Sequence, residues 1–232
     1  MKAVILAAGK GLRFKPLTNE IPKGLVEVNK KSILQRELEA LEKAGIRDVG
    51  LVVGYKKEKI IEKFGKNFGN VKLQYLPQEH QFGTANAVYQ AKNFVGKEEF
   101  ISINGDLLFE PELILDLISC SGFDAVLVGR KEKEPWHFGV LKLKGELVKD
   151  IIEKPEKGKE PSDLVNCGIY RFNSNIFPAI EKTRVSKRKE FEITDSIKFL
   201  IKEERVRWIP AKGKLFDLRA IEDLKKTEKE IE

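Results

Sequence analysis

Residues 3–13 read Ala3-Val4-Ile5-Leu6-Ala7-Ala8-Gly9-Lys10-Gly11-Leu12-Arg13, an apolar run that stops at two closely spaced glycines and two cations. A run of this length without a charge suits a strand buried on both faces, as in a parallel sheet covered by helices, and the glycines suit a tight loop at its carboxyl end. The pattern then repeats. Ser32 caps a helix in which Gln35 reciprocates, with Leu34, Leu38 and Leu41 inward and Gly45 as its stop. Residues 49–53 read as a strand, a Lys/Glu helix follows with Ile60, Ile61 and Phe64 inward, and 71–76, 84–91 and 100–103 read as strand, helix and strand. Such alternation predicts an α/β fold, a Rossmann-like and mainly parallel sheet flanked by helices, with ligands at the carboxyl ends of its strands.

The character changes after Pro135. Residues 139–143 and 147–153, joined by a Lys144-Gly145-Glu146 turn, read as a hairpin leading away from the parallel sheet. Residues 164–172 and 206–210 are strand-like, while 191–200 and 221–231 have helical spacing. No repeat, low-complexity tract or Pro/Gly/Ser linker interrupts the 232 residues, so we expect one domain over 1–232, with a nucleotide-binding part at 1–134 and a smaller antiparallel part at 135–232.

Composition narrows the function. With 41% hydrophobic residues the chain can bury a core, which excludes disorder. The opening apolar run is too short for a membrane span or a secretory signal, so a soluble cytoplasmic protein is expected. Cys120 and Cys167 lie far apart with no C-x-x-C partner and read as core thiols. The net charge of +7 is dispersed over solvated Lys/Glu faces without an aromatic-lined basic stripe, which argues against nucleic acid. His80 and His137 lack metal partners at suitable spacing and receive no role. A charged fraction of 34% with a single Met resembles heat-adapted composition.

The glycine loop carries the chemistry. Small residues let backbone N–H groups approach phosphate oxygens, and Arg13 and Lys23 can neutralise a polyphosphate. A Walker loop fails because Gly11, not Ser or Thr, follows Lys10, and a dinucleotide fingerprint fails because position 14 is Phe14. From Leu6 to Arg13, with Pro16-Leu17-Thr18 and Pro22-Lys23, the chain resembles the sugar-1-phosphate nucleotidyltransferases, of the glucose-1-phosphate thymidylyltransferase and UDP-sugar pyrophosphorylase type. The resemblance continues in family order through Gln78 and Gly83-Thr84-Ala85, Gly105-Asp106, Phe138-Gly139-Val140, Glu153-Lys154-Pro155, Asn166-Cys167-Gly168, Glu192-Ile193-Thr194-Asp195 and Phe216-Asp217.

That resemblance implies roles. Leu6, Ala8, Gly9, Gly11, Gln78, Gly83 and Thr84 would bind the nucleotide, Gln78 and Gly83 meeting the base. Asp106 and Asp217 would hold Mg²⁺, whose preference is for a few carboxylates plus substrate phosphates. Gly139, Glu153, Lys154 and Asn166 would hold the sugar phosphate, with Arg13, Lys23 and Lys154 as the catalytic cations. The implied reaction moves a nucleotidyl group from UTP or dTTP to a hexose 1-phosphate of glucose or N-acetylglucosamine type, with pyrophosphate released. No general base is needed, since a phosphate monoester with a second pKa of about 6 is already largely ionised. Leu12, Gly24 and Phe216 depart from the family's usual Thr or Ser, Pro, Gln or Ala, and Trp. No hexapeptide repeat is seen in these 232 residues, so the chain is expected either to perform only the uridylyl-type step or to be part of a longer enzyme. A cytidylyltransferase for phosphocholine or inositol 1-phosphate, and a catalytically silent nucleotide-sugar sensor, remain as alternatives. Apolar Phe and Ile on the final helices are compatible with a homo-oligomer.

Overall fold

The computed structural model describes residues 1–231. In chain order, β1 (Lys2–Leu6) leads through three short 3₁₀ turns to a small ribbon, β2 (Glu27–Val28) and β3 (Lys31–Ser32), and then α1 (Ile33–Lys43). There follow β4 (Asp48–Val53), α2 (Lys57–Phe64), β5 (Asn67–Phe68), β6 (Val71–Pro77), α3 (Thr84–Tyr89), α4 (Lys92–Val95) and β7 (Phe100–Asn104). The second half comprises β8 (Leu107–Phe109), α5 (Pro111–Ser119), β9 (Ala125–Lys131), β10 (Gly139–Lys144), β11 (Leu147–Glu153) and β12 (Leu164–Phe172). It closes with α6 (Ile176–Glu181), α7 (Ile193–Ile201), β13 (Val206–Pro210), β14 (Leu215–Asp217) and α8 (Ile221–Glu230).

One sheet runs through both halves in the order β10-β11-β13-β9-β12-β7-β1-β4-β6-β5. Pairings of β7, β1, β4 and β6 are parallel, as the buried apolar runs predict, and β13 joins β9 in parallel. The expected hairpin of β10 and β11 forms, yet it does not lead away. Through β13 it joins β9, and β12 lies antiparallel between β9 and β7, so the sheet is mixed and continuous. Helices α1, α2 and α5 pack Leu34, Leu38, Leu41, Ile60, Leu113 and Leu117 on one face. The other face takes α3, α6 and α7 through Ala85, Val88, Ile176, Phe177 and Ile197.

Several local expectations need correction. Ser32 does cap α1, its hydroxyl accepting from Gln35 N at 3.3 Å, but the Gln35 amide turns to Glu39 at 3.1 Å and the reciprocal half of the box is missing. Ile61 is exposed, because Ile60 and Phe64 one turn apart already define the inward stripe of a helix eight residues long. The helix expected over 84–91 breaks after Tyr89 and restarts at Lys92. Cys120 and Cys167 are half-buried rather than core thiols. No described helix is long and apolar enough to cross a membrane.

Candidate active site

The carboxyl ends of β1, β6 and β7 open on a cleft of about 300 Å³ lined by Leu6, Ala8, Gly9, Gln78, Gly83, Thr84, Lys23 and Asp106. Two glycines shape it. Gly11 has φ +60°, and a Cβ there would lie 2.9 Å from Lys23 Cβ, so the loop closes over the lysine only without a side chain. Gly11 itself lines neither cavity; it supports the loop, its carbonyl accepting from Thr18 Oγ1 at 2.8 Å. Gly83 has φ +112°, and a Cβ would meet Phe191 O at 2.6 Å. The Phe191 N–H donates to Phe82 O at 2.7 Å and Ala85 N–H to Phe191 O at 2.9 Å, which clamps this loop onto the segment entering α7.

Gln78 is buried at the mouth of β6. Its Nε2 donates to Asn86 Oδ1 at 2.8 Å and reaches Gly83 O at 3.5 Å, leaving Oε1 as the atom free to accept. Asn86 is thus the residue that orients the glutamine, and it sits on a helix where an Asn carries no sequence signal of its own.

A larger cavity of about 600 Å³ adjoins the first, sharing Thr84, Asn104, Asp106 and Glu190 with it. Gly139, Glu153, Lys154 and Asn166 line it, as does Arg13, which therefore faces this side rather than the Gly9 side. The Asn166 side chain is fixed at both ends, donating to Tyr170 Oη at 2.6 Å and accepting from Gly168 N at 3.2 Å. Glu153 accepts from Thr194 Oγ1 at 3.3 Å and pairs with Arg188 at 3.4 Å; burial raises its pKa while Lys154 and Arg188 oppose the rise. Arg188, which also pairs with Glu192 at 3.1 Å, was not among the residues that the sequence nominated. Asn104, bordering both cavities, keeps a buried Oδ1 without a partner.

Asp106 and Asp217 meet where the cavities join. β8 and β14 form an antiparallel ribbon in which Asp217 is in register with Leu107, and Leu218 N donates to Asp106 O at 2.9 Å. Lys23 Nζ lies 2.8 Å from Asp106 Oδ2 and 4.6 Å from the centre of the Phe14 ring. Asp217 is pushed up to about 7, first by burial and then by the charge of Asp106. Two converging carboxylates, the charge of Asp106 raising the proton affinity of buried Asp217, are a donor set that a hard divalent cation would relieve, substrate phosphates completing its oxygen ligands. The pair fits Mg²⁺ on those grounds; among the described residues no group of three or more His, Cys, Asp and Glu side chains forms a protein-only cage.

Residues 2–231 match the family described as nucleotidyl transferase. A bifunctional protein GlmU of Methanocaldococcus jannaschii is 44% identical over 214 residues, covering 92% of this chain and 50% of that protein. The bifunctional sugar-1-phosphate nucleotidylyltransferase/acetyltransferase of Sulfurisphaera tokodaii is 37% identical over 220 residues, 94% of this chain and 52% of that one. The chain thus spans about half the length of the curated relatives it matches. A crystal structure of UDP-glucose pyrophosphorylase complexed with UDP-glucose superposes with a TM-score of 0.88 at 24% identity, covering 99% of this chain and 97% of that one, and shares the fold.

Proposed function

The chain belongs to the nucleotidyl transferase family, and from that premise we propose that it transfers a nucleotidyl group from UTP or dTTP to a hexose 1-phosphate of glucose or N-acetylglucosamine type, with Mg²⁺ as cofactor. The observation that carries this reading is the convergence of Asp106 and Asp217 between a cleft ending in the Gln78 amide and a cavity walled by Glu153, Lys154 and Asn166. A free Oε1 on Gln78 is an acceptor for the ring N–H that uracil and thymine carry and neutral cytosine lacks at the equivalent position. Carboxylate and amide side chains suit hydroxyls, whose hydrogen bonds to water must be replaced on burial.

In this reaction an oxygen of the sugar phosphate forms a bond to the α-phosphorus while the bond to the bridging oxygen of pyrophosphate breaks. Both reactants are anions, so the task is alignment and neutralisation. Lys154, exposed at the sugar side with its N–H fixed to Phe138 O at 2.9 Å, meets the incoming phosphate. Lys23, seated under the glycine loop, meets the α-phosphate region, and Arg13, on the wall of the larger cavity, stands by the leaving group. The metal, when bound at Asp106 and Asp217, supplies charge neutralisation to phosphate oxygens. Leu12 is 64% exposed and leaves the loop's backbone donors untouched, so the missing hydroxyl alters binding rather than abolishing it.

The test is pyrophosphate release with Mg²⁺, each of the five nucleoside triphosphates, and a panel of sugar 1-phosphates. Release with UTP or dTTP and a hexose 1-phosphate is expected. Release with CTP and a polyol or choline phosphate alone would overturn the substrate assignment, and no release with any pair would leave a silent binding protein.

A further inference from the structure

Arg219 has no part in the reaction as described, yet three restraints hold it at the site. Its guanidinium carbon lies 4.6 Å from the centre of the Phe138 ring. Its Nε is 3.8 Å from Asp217 Oδ2. Its backbone is fixed on both sides, since the N–H groups of Arg219 and Ala220 each donate to Asp223 Oδ2 at 2.8 Å and Leu218 N donates to Asp106 O. Phe138, Asp217 and Arg219 all line the larger cavity, and none of them lines the smaller cleft that holds Gly9 and Gln78.

Stacking occupies one face of the guanidinium and Asp217 lies nearest Nε, while no described residue accepts from either Nη group. What is left is a planar fork of donors beside the carboxylate pair. Such a fork suits two oxygens of one phosphate, a match that the point charge of a lysine does not make. Phe138 precedes Gly139 and its carbonyl holds the Lys154 N–H, so the fork stands at the sugar-phosphate end. We propose that Arg219 is a substrate-contacting residue that grips the phosphate of the sugar 1-phosphate through its Nη edge, alongside Lys154 in the same cavity. This inference rests on the nucleotidyl-transfer reading of the site.

The experiment compares the full chain with Arg219→Ala, Arg219→Lys and Phe138→Leu by pyrophosphate release, varying sugar 1-phosphate and nucleoside triphosphate separately, and titrates α-D-glucose 1-phosphate calorimetrically. The expected result for Arg219→Ala is a rise of about tenfold or more in KM for the sugar phosphate, with KM for the triphosphate within about twofold. Arg219→Lys should recover part of that loss because it keeps the charge without the fork, and Phe138→Leu should raise the same KM to a smaller extent. An unchanged KM with a lower kcat, or a raised Mg²⁺ requirement in its place, would assign Arg219 to holding Asp217 and overturn the inference while leaving the proposed activity intact. If the unsubstituted chain turns over no pair but binds glucose 1-phosphate, and Arg219→Ala abolishes that binding, the grip stands without the activity. Absence of both turnover and binding overturns both.

Discussion

Single side chains at this site are governed by how far burial and a neighbour's charge can be pushed. Asp217 shows it, its carboxyl raised to about 7 by burial and by Asp106. Asp217→Asn keeps the shape and removes the charge, so Mg²⁺-dependent pyrophosphate release should fall by about 100-fold or more; full turnover in this variant would displace the metal assignment. Glu37 is the second case, fully buried on α1 with Oε1 accepting from Leu107 N at 3.2 Å and Oε2 without a partner. Burial lifts its pKa well above the ordinary glutamate value, against the pull of the Leu107 N–H. The folded chain therefore holds this proton more tightly than the unfolded chain does. Its contribution to stability is complete below the unfolded pKa and is lost as pH rises through the folded one. Glu37→Gln keeps an acceptor for Leu107 and cannot ionise. In urea unfolding the variant should gain on the parent as pH rises above the ordinary glutamate range; a difference that does not change with pH would show Glu37 to be ionised throughout.

Between elements, the decisive contact is the clamp of the Gly83 loop on the entry to α7. Ile193 N donates to Thr84 Oγ1 at 2.9 Å, and the Phe191 backbone bonds on both sides of Gly83. This ties the cleft that holds Gln78 to the helix that carries Thr194, so the two cavities share one wall. Gly83→Ala forces a Cβ against Phe191 O in a backbone region that L-residues avoid. The expected cost is about 1–3 kcal/mol in chemical unfolding, together with a raised KM for the triphosphate. Loss of stability without any change in that KM would separate the clamp from the proposed nucleotide role of the cleft. A Gln five residues before a Gly is legible as a motif, and so is Glu192-Ile193-Thr194-Asp195, whereas the contact between the two is not, because nothing in either spacing names Phe82 or Thr84 as the neighbour of residues 191–193.

At the scale of the molecule, β12 lies between β7 and β9, so neither half has a complete sheet alone. Val4 and Val88 from the first half and Ile176 and Ile197 from the second share one apolar cluster. We therefore expect a single calorimetric unfolding transition with matching calorimetric and van't Hoff enthalpies, and expect residues 1–134 expressed alone to show no cooperative melt. Two separate transitions would overturn the expectation of one domain and make the nucleotide and sugar-phosphate parts independent units. The parallel strands β1, β4, β6 and β7 are legible one by one, because a buried apolar run, a glycine loop and a cap act between residues close in sequence and leave a period of 2 or 3.6 behind. The rest is legible only in pieces. The hairpin of β10 and β11 shows in its turn, but β2, β3, β5, β9, α5, α6 and the β8–β14 ribbon leave no such signal, and the hairpin's return to the main sheet depends on pairing with β13, far along the chain. Local spacing alone carries the α/β alternation, the glycine loop from Gly9 to Arg13 and, through family resemblance, the residues worth watching. Packing is what brings Asp106 to Asp217, turns Arg13 to the larger cavity, and stands Arg188 and Arg219 there too. The reason is physical: distance and burial set the charge coupling and desolvation at this site, and neither quantity exists until segments remote in sequence are packed together.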